Sequence, residues 1–257
     1  MVRKRIIGVV TILNSMVVQS FGYKKYLPIG RPDCVIQNLD RWGVDEIFIQ
    51  CIDRSKSLKG PDFELLEQIS SMGVGTPVIY SGGIRSVDDA VGVIKKGADW
   101  IAFQNILKNF EIIKNISSKL GSQALIASLP LSIKNKKIYL FEYLTRTEEL
   151  IEIELIDFLS TNCISEIMLV DWKNEGGNKS FNQDLIERFP IKNKEIILFG
   201  GINTSDQINL LFNHEIVSAL GIGNFLNYKE HAFQNLKNQA NLGLLRANTY
   251  YSNSSLL

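Results

Sequence analysis

The sequence has few of the residues that indicate a metal site, a disulfide framework or a histidine-based catalytic site. Its 257 residues include three cysteines, which are far apart and form no CxxC pair, and two histidines, His214 and His231. A disulfide framework, a zinc cluster and a Ser-His-Asp triad are therefore not expected, and no metal or cofactor is predicted. A reducing, cytoplasmic location is the default expectation for such a chain.

The chain also lacks an excess of charge of either sign. Its 28 Lys and Arg nearly balance its 27 Asp and Glu, which gives a net charge of +1. Without a strongly basic surface, neither nucleic acid nor an anionic membrane is an expected partner. No stretch approaches the roughly 20 apolar residues of a membrane span. The start, MVRKRIIGVV, has only a short β-branched apolar run, which indicates a buried strand rather than a secretion signal.

What the sequence does contain is a regular alternation of short β-branched runs with longer helical patterns. Eight strands are predicted at 5–12, 46–52, 77–82, 100–104, 123–129, 166–172, 195–200 and 217–222. Helices are predicted at 31–43, 60–73, 87–96, 107–119, 147–162, 181–188, 205–213 and 229–240. Strands that are each followed by a helix form either a closed parallel barrel or a doubly wound open sheet.

A repeat at half the chain length favours the barrel. The segment SGGIRSVDDA at 81–90 returns as FGGINTSDQI at 199–208, and IIGVVT in the first predicted strand aligns with LIASLP in the fifth. Two half-barrels of roughly 120 residues fit these correspondences. We therefore predict an α/β fold, a (β/α)8 TIM barrel built from two half-barrel repeats over residues 1–245, followed by a polar C-terminal tail at 246–257.

Each Gly-Gly pair stands where a predicted strand meets the next helix. Glycines there let the backbone approach a ligand, and the N-terminus of the following helix favours an anion. In the first copy, Ser86 and Asp89 are placed to cap that helix. In the second copy, Thr204 and Gln207 take the same places. Two such turns across a barrel mouth predict a ligand with two phosphates, and the alternative is that Gly-Gly makes only a tight turn.

At these residues the sequence resembles a known family. The runs KRIIGVVTILNSMVVQS, VDEIFIQCID and GADWIAFQN, with the two GGI turns, look like the HisF family, the cyclase subunit of imidazole glycerol phosphate synthase. The resemblance covers essentially the whole chain except the tail. It implies a barrel that docks a glutaminase subunit (HisH-like) on its N-terminal face as a heterodimer. Ammonia would then pass through the barrel to a bis-phosphate substrate at the C-terminal mouth.

The resemblance also implies a set of ligand-binding positions at the mouth. They are Gly82, Gly83, Gln104, Asn105, Gly200, Gly201, Gly223 and Asn224. Gln104 and Asn105 stand where the family usually has Asn-Thr, Phe199 replaces a small residue, and Gly223 replaces a phosphate-binding hydroxyl. A phosphorylated small molecule is therefore one expectation, and a smaller ligand, a sugar nucleotide or an empty mouth are the others.

The two catalytic aspartates of the family have no counterpart in this chain. The matching positions are Thr11 and Pro130, and neither side chain can transfer a proton as a carboxylate does. These departures argue against ordinary cyclase activity, so no catalytic residue is predicted.

Other polar positions near the predicted mouth are ambiguous. Gln19 stands where the family has a lysine in the first loop, and Cys51 where it has an acidic residue. Asp53, Arg54 and Asp171 fall near strand ends, where they form either a replacement polar site or solvated loop charges.

The opposite face matches the family better. Arg5, Glu46 and Glu166 match members of the charged ring that gates ammonia entry, and Trp100 replaces the gate lysine. Asp99 matches the aspartate that grips the glutaminase. The alternative is that inward charges at a barrel base simply satisfy one another.

The first-loop segment KYLPIGRPDCVIQNLDRWGVDE is most similar to a diverged HisF-like branch associated with bacterial surface sugars. There, HisF-like proteins accompany a glutaminase paralogue and a separate sugar amidotransferase. The first hypothesis is thus an ammonia-channelling subunit for the amidination of a surface-polysaccharide or flagellin sugar. The alternatives are a diverged imidazole glycerol phosphate synthase cyclase, which is a lyase of histidine biosynthesis, and a non-catalytic scaffold that stimulates a glutaminase.

Overall fold

The described part of the computed structural model, residues 3–177 and 179–227, is built around eight parallel strands. These barrel strands are β1 (Arg5–Leu13), β4 (Glu46–Cys51), β5 (Val78–Ser81), β6 (Trp100–Phe103), β7 (Leu125–Lys134), β10 (Glu166–Asp171), β11 (Glu195–Phe199) and β12 (Val217–Ile222). Each pairs with its neighbours in parallel, and β12 pairs with β1. The strands therefore close into the predicted (β/α)8 barrel.

The α-helices of the described residues lie outside this barrel. They are α1 (Pro32–Trp42), α2 (Phe63–Ser71), α3 (Val87–Lys95), α4 (Phe110–Leu120), α5 (Ile153–Leu159), α6 (Asp184–Arg188) and α7 (Ser205–Phe212). The predicted helix 229–240, the boundary at 245 and the tail at 246–257 fall outside the described residues. Among the described helices, none is both long and apolar enough to cross a membrane.

Two hydrophobic clusters explain why the barrel strands are apolar on both faces. One cluster fills the space between the strands and the helices, with Ile47, Ile101 and Leu198 among its members. The other fills the barrel interior and includes Phe48 and Met168. Side chains alternate between these clusters along each strand, as the period of two requires.

Four further strands form two hairpins that the sequence did not predict. They are β2 (Met16–Phe21), β3 (Lys25–Gly30), β8 (Lys137–Glu142) and β9 (Thr147–Leu150). β1 turns into β2 through Asn14 and Ser15, and β7 turns into β8 through Asn135 and Lys136. All four turn residues have positive φ, as type I′ hairpin turns require. The half-barrel repeat therefore includes a hairpin in each half.

The second hairpin corrects two predicted boundaries. Residues 147–162 were predicted as one helix, but Thr147–Leu150 is a strand that pairs with β8, and the helix spans only Ile153–Leu159. The predicted strand 123–129 begins at Leu125 and continues to Lys134, where it becomes an arm of the hairpin. Pairing with β8 fixes this segment as a strand, and a single-sequence helical pattern does not contain that long-range contact.

Pro130 lies inside β7, where a proline is unusual. β6 pairs with β7 only as far as Ala127, and β8 begins to pair at Leu131. Pro130 falls in the gap between these partners, so the missing N–H costs no ladder hydrogen bond on that edge. Thr11 is the residue of the first half-barrel that corresponds to Pro130, and it pairs with Val18 of β2.

Candidate functional site

The first Gly-Gly pair ends β5 in a turn that only glycine can adopt. Gly82 and Gly83 have φ of 136° and 72°. A Cβ on Gly82 would lie 2.5 Å from the carbonyl oxygen of Cys51, and one on Gly83 would overlap the carbonyl oxygen of Gly60. The turn thus packs on the backbone of the preceding strand and loop.

The second Gly-Gly pair repeats this geometry after β11. Gly200 and Gly201 have φ of 111° and 74°, and a Cβ on either would overlap the carbonyl oxygen of Asp171 or Lys179. Backbone packing therefore accounts for all four glycines. The tight-turn explanation is sufficient for them, and phosphate binding at these turns stays a prediction.

Both helices that follow these turns are capped as predicted. The Ser86 hydroxyl accepts from the N–H of Asp89, whose carboxylate accepts from the N–H of Ser86. In the second copy, the Thr204 hydroxyl accepts from the N–H of Gln207, and the Gln207 amide oxygen accepts from the N–H of Asn203. The caps orient α3 and α7 with their N-termini at the mouth.

The predicted ligand-binding residues divide between two cavities at the mouth. Gly82, Gln104 and Asn105 line a cavity of about 500 Å³ beside the first half-barrel. A cavity of about 310 Å³ beside the second half is lined by four others: Gly200, Gly201, Gly223 and Asn224. Gly83 lines neither cavity. The repeat therefore produces two separate concavities rather than one continuous groove.

Three predicted ligand-binding amides instead hold the loops together. Asn105 donates to the carbonyl oxygen of Ile84 at 2.8 Å, and Gln104 donates to that of Phe141 at 3.3 Å. Asn224 accepts from the N–H of Ser20 at 3.2 Å and donates to its carbonyl oxygen at 2.6 Å. These bonds fix the walls of the cavities, and a ligand would have to share or displace them.

A buried carboxyl group, that of Glu175, lines the smaller cavity. Glu175 is 3% exposed, and its carboxylate accepts from the Ser20 hydroxyl at 3.0 Å and from the N–H of Tyr23 at 3.4 Å. Burial raises the pKa of Glu175 to about 7, although these hydrogen bonds lower it. Gly176 lies so close to Ser20 that a Cβ would overlap its carbonyl oxygen. The first hairpin is thereby held against the loop that follows β10.

The family's catalytic positions hold a neutral hydrogen-bonded chain. Gln50 on β4 donates to the Thr11 hydroxyl at 2.6 Å and accepts from the Tyr23 hydroxyl at 3.3 Å. Pro130 contributes no polar side chain on the other side of the mouth. Neither Thr11 nor Pro130 can act as the carboxylate acid or base that the resemblance implies at these two positions.

Aromatic rings from the two hairpins meet beside the hydrogen-bonded residues Thr11, Gln50 and Tyr23. The rings of Tyr23 and Tyr143 are 4.8 Å apart between centroids, and Phe141 stacks on Trp172 at 4.0 Å. Tyr23, Phe141 and Trp172 belong to the same cluster that fills the barrel interior. They therefore pack at the C-terminal end of the barrel interior. These rings were not predicted because the hairpins that carry them were not recognised, although the Asn14-Ser15 and Asn135-Lys136 turns are typical of hairpins.

The remaining predicted mouth residues do not form one polar site. Gln19 lies on β2 opposite Leu27 and lines neither cavity, whereas Asp53 lines the larger one. Arg54 donates to the carbonyl oxygens of Gly60 and Pro61 and thus braces its own loop.

Asp171 is 2% exposed, which makes it a buried loop anchor rather than a solvated charge. It accepts from the N–H of Asn182 at 2.9 Å and from the side-chain amide of Asn174 at 2.7 Å. Burial raises the pKa of Asp171, and these hydrogen bonds oppose the shift. Cys51 is also buried, and burial raises the pKa of its thiol to about 12. A thiol with that pKa is protonated at neutral pH.

The predicted gate residues do come together at the N-terminal end of the barrel. Arg5 donates to the Glu46 carboxylate at 2.9 Å and also binds Glu166, while Ser218 donates to Glu166 at 2.8 Å. Trp100, half-buried, packs against the interior cluster. The charges do satisfy one another, as the alternative explanation required, and they line the base of the axis as a gate would.

Asp99, the predicted glutaminase contact, is exposed beside this ring. One of its carboxylate oxygens accepts from the N–H of Val78 at 2.8 Å. Asp45 makes the equivalent bond to the N–H of Ile6 at 2.7 Å. Asp99 therefore orders the start of β5 and still faces outward.

Among residues 3–177 and 179–227, no group of three or more His, Cys, Asp and Glu side chains is placed to hold a metal ion. A closed (β/α)8 barrel of two similar halves, with a charged ring at one end, is the class of protein that the structure defines. Residues 5–232 match the model of the family described as "Histidine biosynthesis protein", and the chain belongs to that family.

Individual relatives are similar over most of their length. The chain is 28% identical over 238 residues to a provisionally named imidazole glycerol phosphate synthase subunit hisF2 of Vibrio vulnificus (strain YJ016), which covers 90% of this chain and 86% of that protein. It is 25% identical over 243 residues to the imidazole glycerol phosphate synthase subunit HisF of Natranaerobius thermophilus, covering 93% and 96%. The chain is thus a diverged HisF-like member of the family.

Proposed function

We propose that this chain is a HisF-like synthase subunit that pairs with a glutaminase and directs glutamine-derived ammonia to the amidination of a surface sugar. Membership in the family supports a synthase subunit. The glutaminase partner, the ammonia path and the sugar are parts of the proposal.

The contrast between the two ends of the barrel carries this proposal. At the base, Arg5 forms ion pairs with Glu46 and Glu166, the residues proposed to gate ammonia entry. At the mouth, Thr11 and Pro130 occupy the positions of the two catalytic carboxylates. A subunit that receives ammonia but does not cyclise a substrate requires the charged ring at the base and does not require the catalytic carboxylates at the mouth.

The docking face is proposed to centre on Asp99. Its outward carboxylate lies next to Trp100, which replaces a lysine at the rim of the proposed gate. An exposed acid at the edge of a barrel base suits an ion pair with a basic residue of the glutaminase.

Cyclase activity in histidine biosynthesis is the second candidate. The names of the relatives favour it. Some other acid and base would then have to replace the missing carboxylates. Glu175 is the mouth residue whose pKa, about 7, suits such a role, but its bonds to Ser20 and Tyr23 hold it in the wall.

A genetic experiment separates the two candidates. The chain is expressed, with its own glutaminase, in a strain that lacks its histidine cyclase subunit. We expect no growth without histidine even when the soluble complex is present. Growth would overturn the sugar assignment. In the source organism, deletion of the gene is expected to remove an amidino group from a surface glycan, as measured by mass spectrometry, without histidine auxotrophy.

A binding experiment tests the docking face. Asp99→Ala is expected to weaken glutaminase affinity about tenfold, since it removes an interfacial charge pair. Asp45→Ala is the matched control because it loses the same strand-start hydrogen bond. Equal affinity of the two variants would remove Asp99 from the interface. If Glu46→Gln leaves glutaminase stimulation and glycan amidination unchanged, the gate role fails. If the parent chain stimulates the glutaminase but supports no amidination, it is a scaffold.

A further inference from the structure

The larger mouth cavity has a neutral polar side. Four consecutive barrel strands, β4 to β7, each contribute one amide or hydroxyl to its lining: Gln50, Ser81, Gln104 directly after β6, and Ser128. On the other side of the barrel axis, at the same end of the interior, lie the apolar side chains of Val9, Val170 and Phe199. One half of the mouth is thus suited to hydrogen bonding with an uncharged group.

Several donors in this lining have no protein partner. The indole N–H of Trp172 is buried and makes no hydrogen bond within the described residues, and Trp172 as a whole is 6% exposed. The hydroxyls of Ser81 and Ser128 likewise make none to the described part of the chain. A buried donor without a partner destabilises the fold, so the Trp172 N–H would gain a hydrogen bond from a ligand or a water that enters the cavity.

Aromatic faces complete the wall of the cavity. Tyr26 and Tyr143 line it together with Trp172. Aromatic faces beside neutral amides and hydroxyls suit a ring that has C–H faces and hydroxyl or amide edges. A flat, fully charged ligand would instead require charges within the wall.

Charges lie at the rim, and their pairing favours an anion. Of the acids in the lining, Glu148 pairs with Lys134 and Lys173, and the carboxylates of Asp53 and Glu142 each accept from a backbone N–H. The bases Lys24, Lys56 and Arg146 line the same cavity and form no ion pair with a carboxylate of the described residues. The side chain of Lys24 lies 5.5 Å from the Trp172 ring.

We propose that this cavity binds a neutral polyhydroxylated ring that carries one anionic group, the chemistry of a sugar phosphate or a sugar nucleotide. The ring lies against Gln104, Ser128 and the Trp172 indole, and the anionic group meets Lys24, Lys56 and Arg146. The role of this ligand as the ammonia acceptor rests on the proposed function, whereas its binding does not. The anion site differs from the paired-glycine turns that the family resemblance implies.

Ligand-detected NMR and calorimetry on the full chain test the proposal. The probes are N-acetylglucosamine 1-phosphate, UDP-N-acetylglucosamine, N-acetylglucosamine and inorganic phosphate. We expect the two anionic sugars to bind, the neutral sugar to bind about tenfold more weakly, and phosphate to bind weakly. Binding of phosphate as tight as that of the sugar phosphate overturns the proposal, and so does the absence of binding by every sugar probe.

Two variants locate the site. Trp172→Phe keeps the ring stacked on Phe141 but removes the N–H, and it is expected to weaken sugar phosphate binding about threefold to tenfold. The matched control is Trp42→Phe on α1, outside the mouth, which is expected to change nothing. Equal binding by the two variants overturns the placement.

Arg146→Gln tests the rim. It is expected to weaken the binding of N-acetylglucosamine 1-phosphate and leave that of N-acetylglucosamine unchanged. The control is Arg41→Gln, on the exposed side of α1. An equal loss for both probes would show that Arg146 does not meet the anion. Glutaminase stimulation is measured on the same variants, so that a failure of ligand binding is distinguished from a failure of the glutaminase coupling.

Discussion

The two halves of the barrel have the same backbone plan and different mouths. In each half, the first strand continues into a hairpin through two residues with positive φ, and a later strand ends in a Gly-Gly pair that packs on a carbonyl group. The larger cavity has amides and hydroxyls from the neighbouring strands β4 to β7, whereas the smaller cavity is lined mainly by glycines, with Phe199 and Asn224 among the side chains. The repeated features are those that the fold requires, and the features that are not repeated are where function is to be sought.

Alanine at Gly83 or Gly201 is expected to have the largest effect on stability. Both residues have positive φ, and a Cβ would overlap a backbone carbonyl oxygen in each case. We expect each variant to lose about 4 kcal/mol of unfolding free energy, as measured by urea denaturation.

Gly223→Ala is the control for this pair. A Cβ there would lie 3.4 Å from the Phe199 ring, an ordinary contact. Its loss of unfolding free energy is expected to stay below about 1 kcal/mol. If Gly83→Ala and Gly201→Ala differ by more than about 2 kcal/mol, the two turns are not structurally equivalent.

Glu175 has no acidic counterpart in the first half, where Ser55 stands at the matching position and accepts from the N–H of Gly83. Because the folded pKa of Glu175 is raised to about 7 from 4.5, its contribution to stability is complete below pH 4.5. That contribution is lost as the pH rises through 7. Glu175→Gln is expected to be more stable than the parent at pH 8, by at most about 3 kcal/mol, and equally stable at pH 4.5.

Unfolding by urea at both pH values measures this effect. Exposed Glu64→Gln on α2 is the control and is expected to show no such difference. A parent protein whose stability does not fall between pH 5 and pH 8 relative to Glu175→Gln would contradict the buried, partly protonated carboxyl.

The two loop-holding asparagines should differ in strength. Asn224 makes two hydrogen bonds to the backbone of Ser20, whereas Asn105 makes one to that of Ile84. We expect Asn224→Ala to lose about 2 kcal/mol of unfolding free energy and Asn105→Ala about 1 kcal/mol. Equal losses in thermal unfolding would show that the first hairpin does not depend on its link to the second half.

The two helix caps should have the smallest and most similar effects. Ser86→Ala and Thr204→Ala each remove one cap and are expected to cost about 1 kcal/mol. Ser118→Ala, at an exposed position within α4, is the control and is expected to be neutral or slightly stabilising. If only one of the two variants loses unfolding free energy, the two helix caps are not equivalent.

Local signals in the sequence were sufficient for the barrel and its caps. The β-branched runs and the repeated GGI turns predicted all eight barrel strands, and Ser86 and Thr204 were correctly identified as caps. These features depend on residues close together in the chain. The ring of Arg5, Glu46 and Glu166 was implied by the family resemblance, and their places at the starts of strands bring them to one end of the barrel.

The mouth could not be predicted in the same way. Its walls depend on contacts between distant segments, such as the stacking of Phe141 on Trp172 and the bond between Tyr23 and Gln50. The segment at 147–150 was assigned to a helix because its pairing with β8 is not visible in the local pattern. Recognising Asn14-Ser15 and Asn135-Lys136 as hairpin turns would have predicted both hairpins. It would not have predicted the contact between their aromatic side chains.

The link between Asn224 and Ser20 also has a kinetic consequence. It joins residues 204 positions apart. Closing so long a loop costs chain entropy, so this bond is expected to form only after nearly the whole barrel is assembled. Contacts of such high sequence separation slow folding. We therefore expect the first hairpin to lock in the final step of folding, after the ring of strands has closed. Until then, the first hairpin, which carries the exposed side chains Met16 and Leu27, would not be anchored to the second half of the barrel.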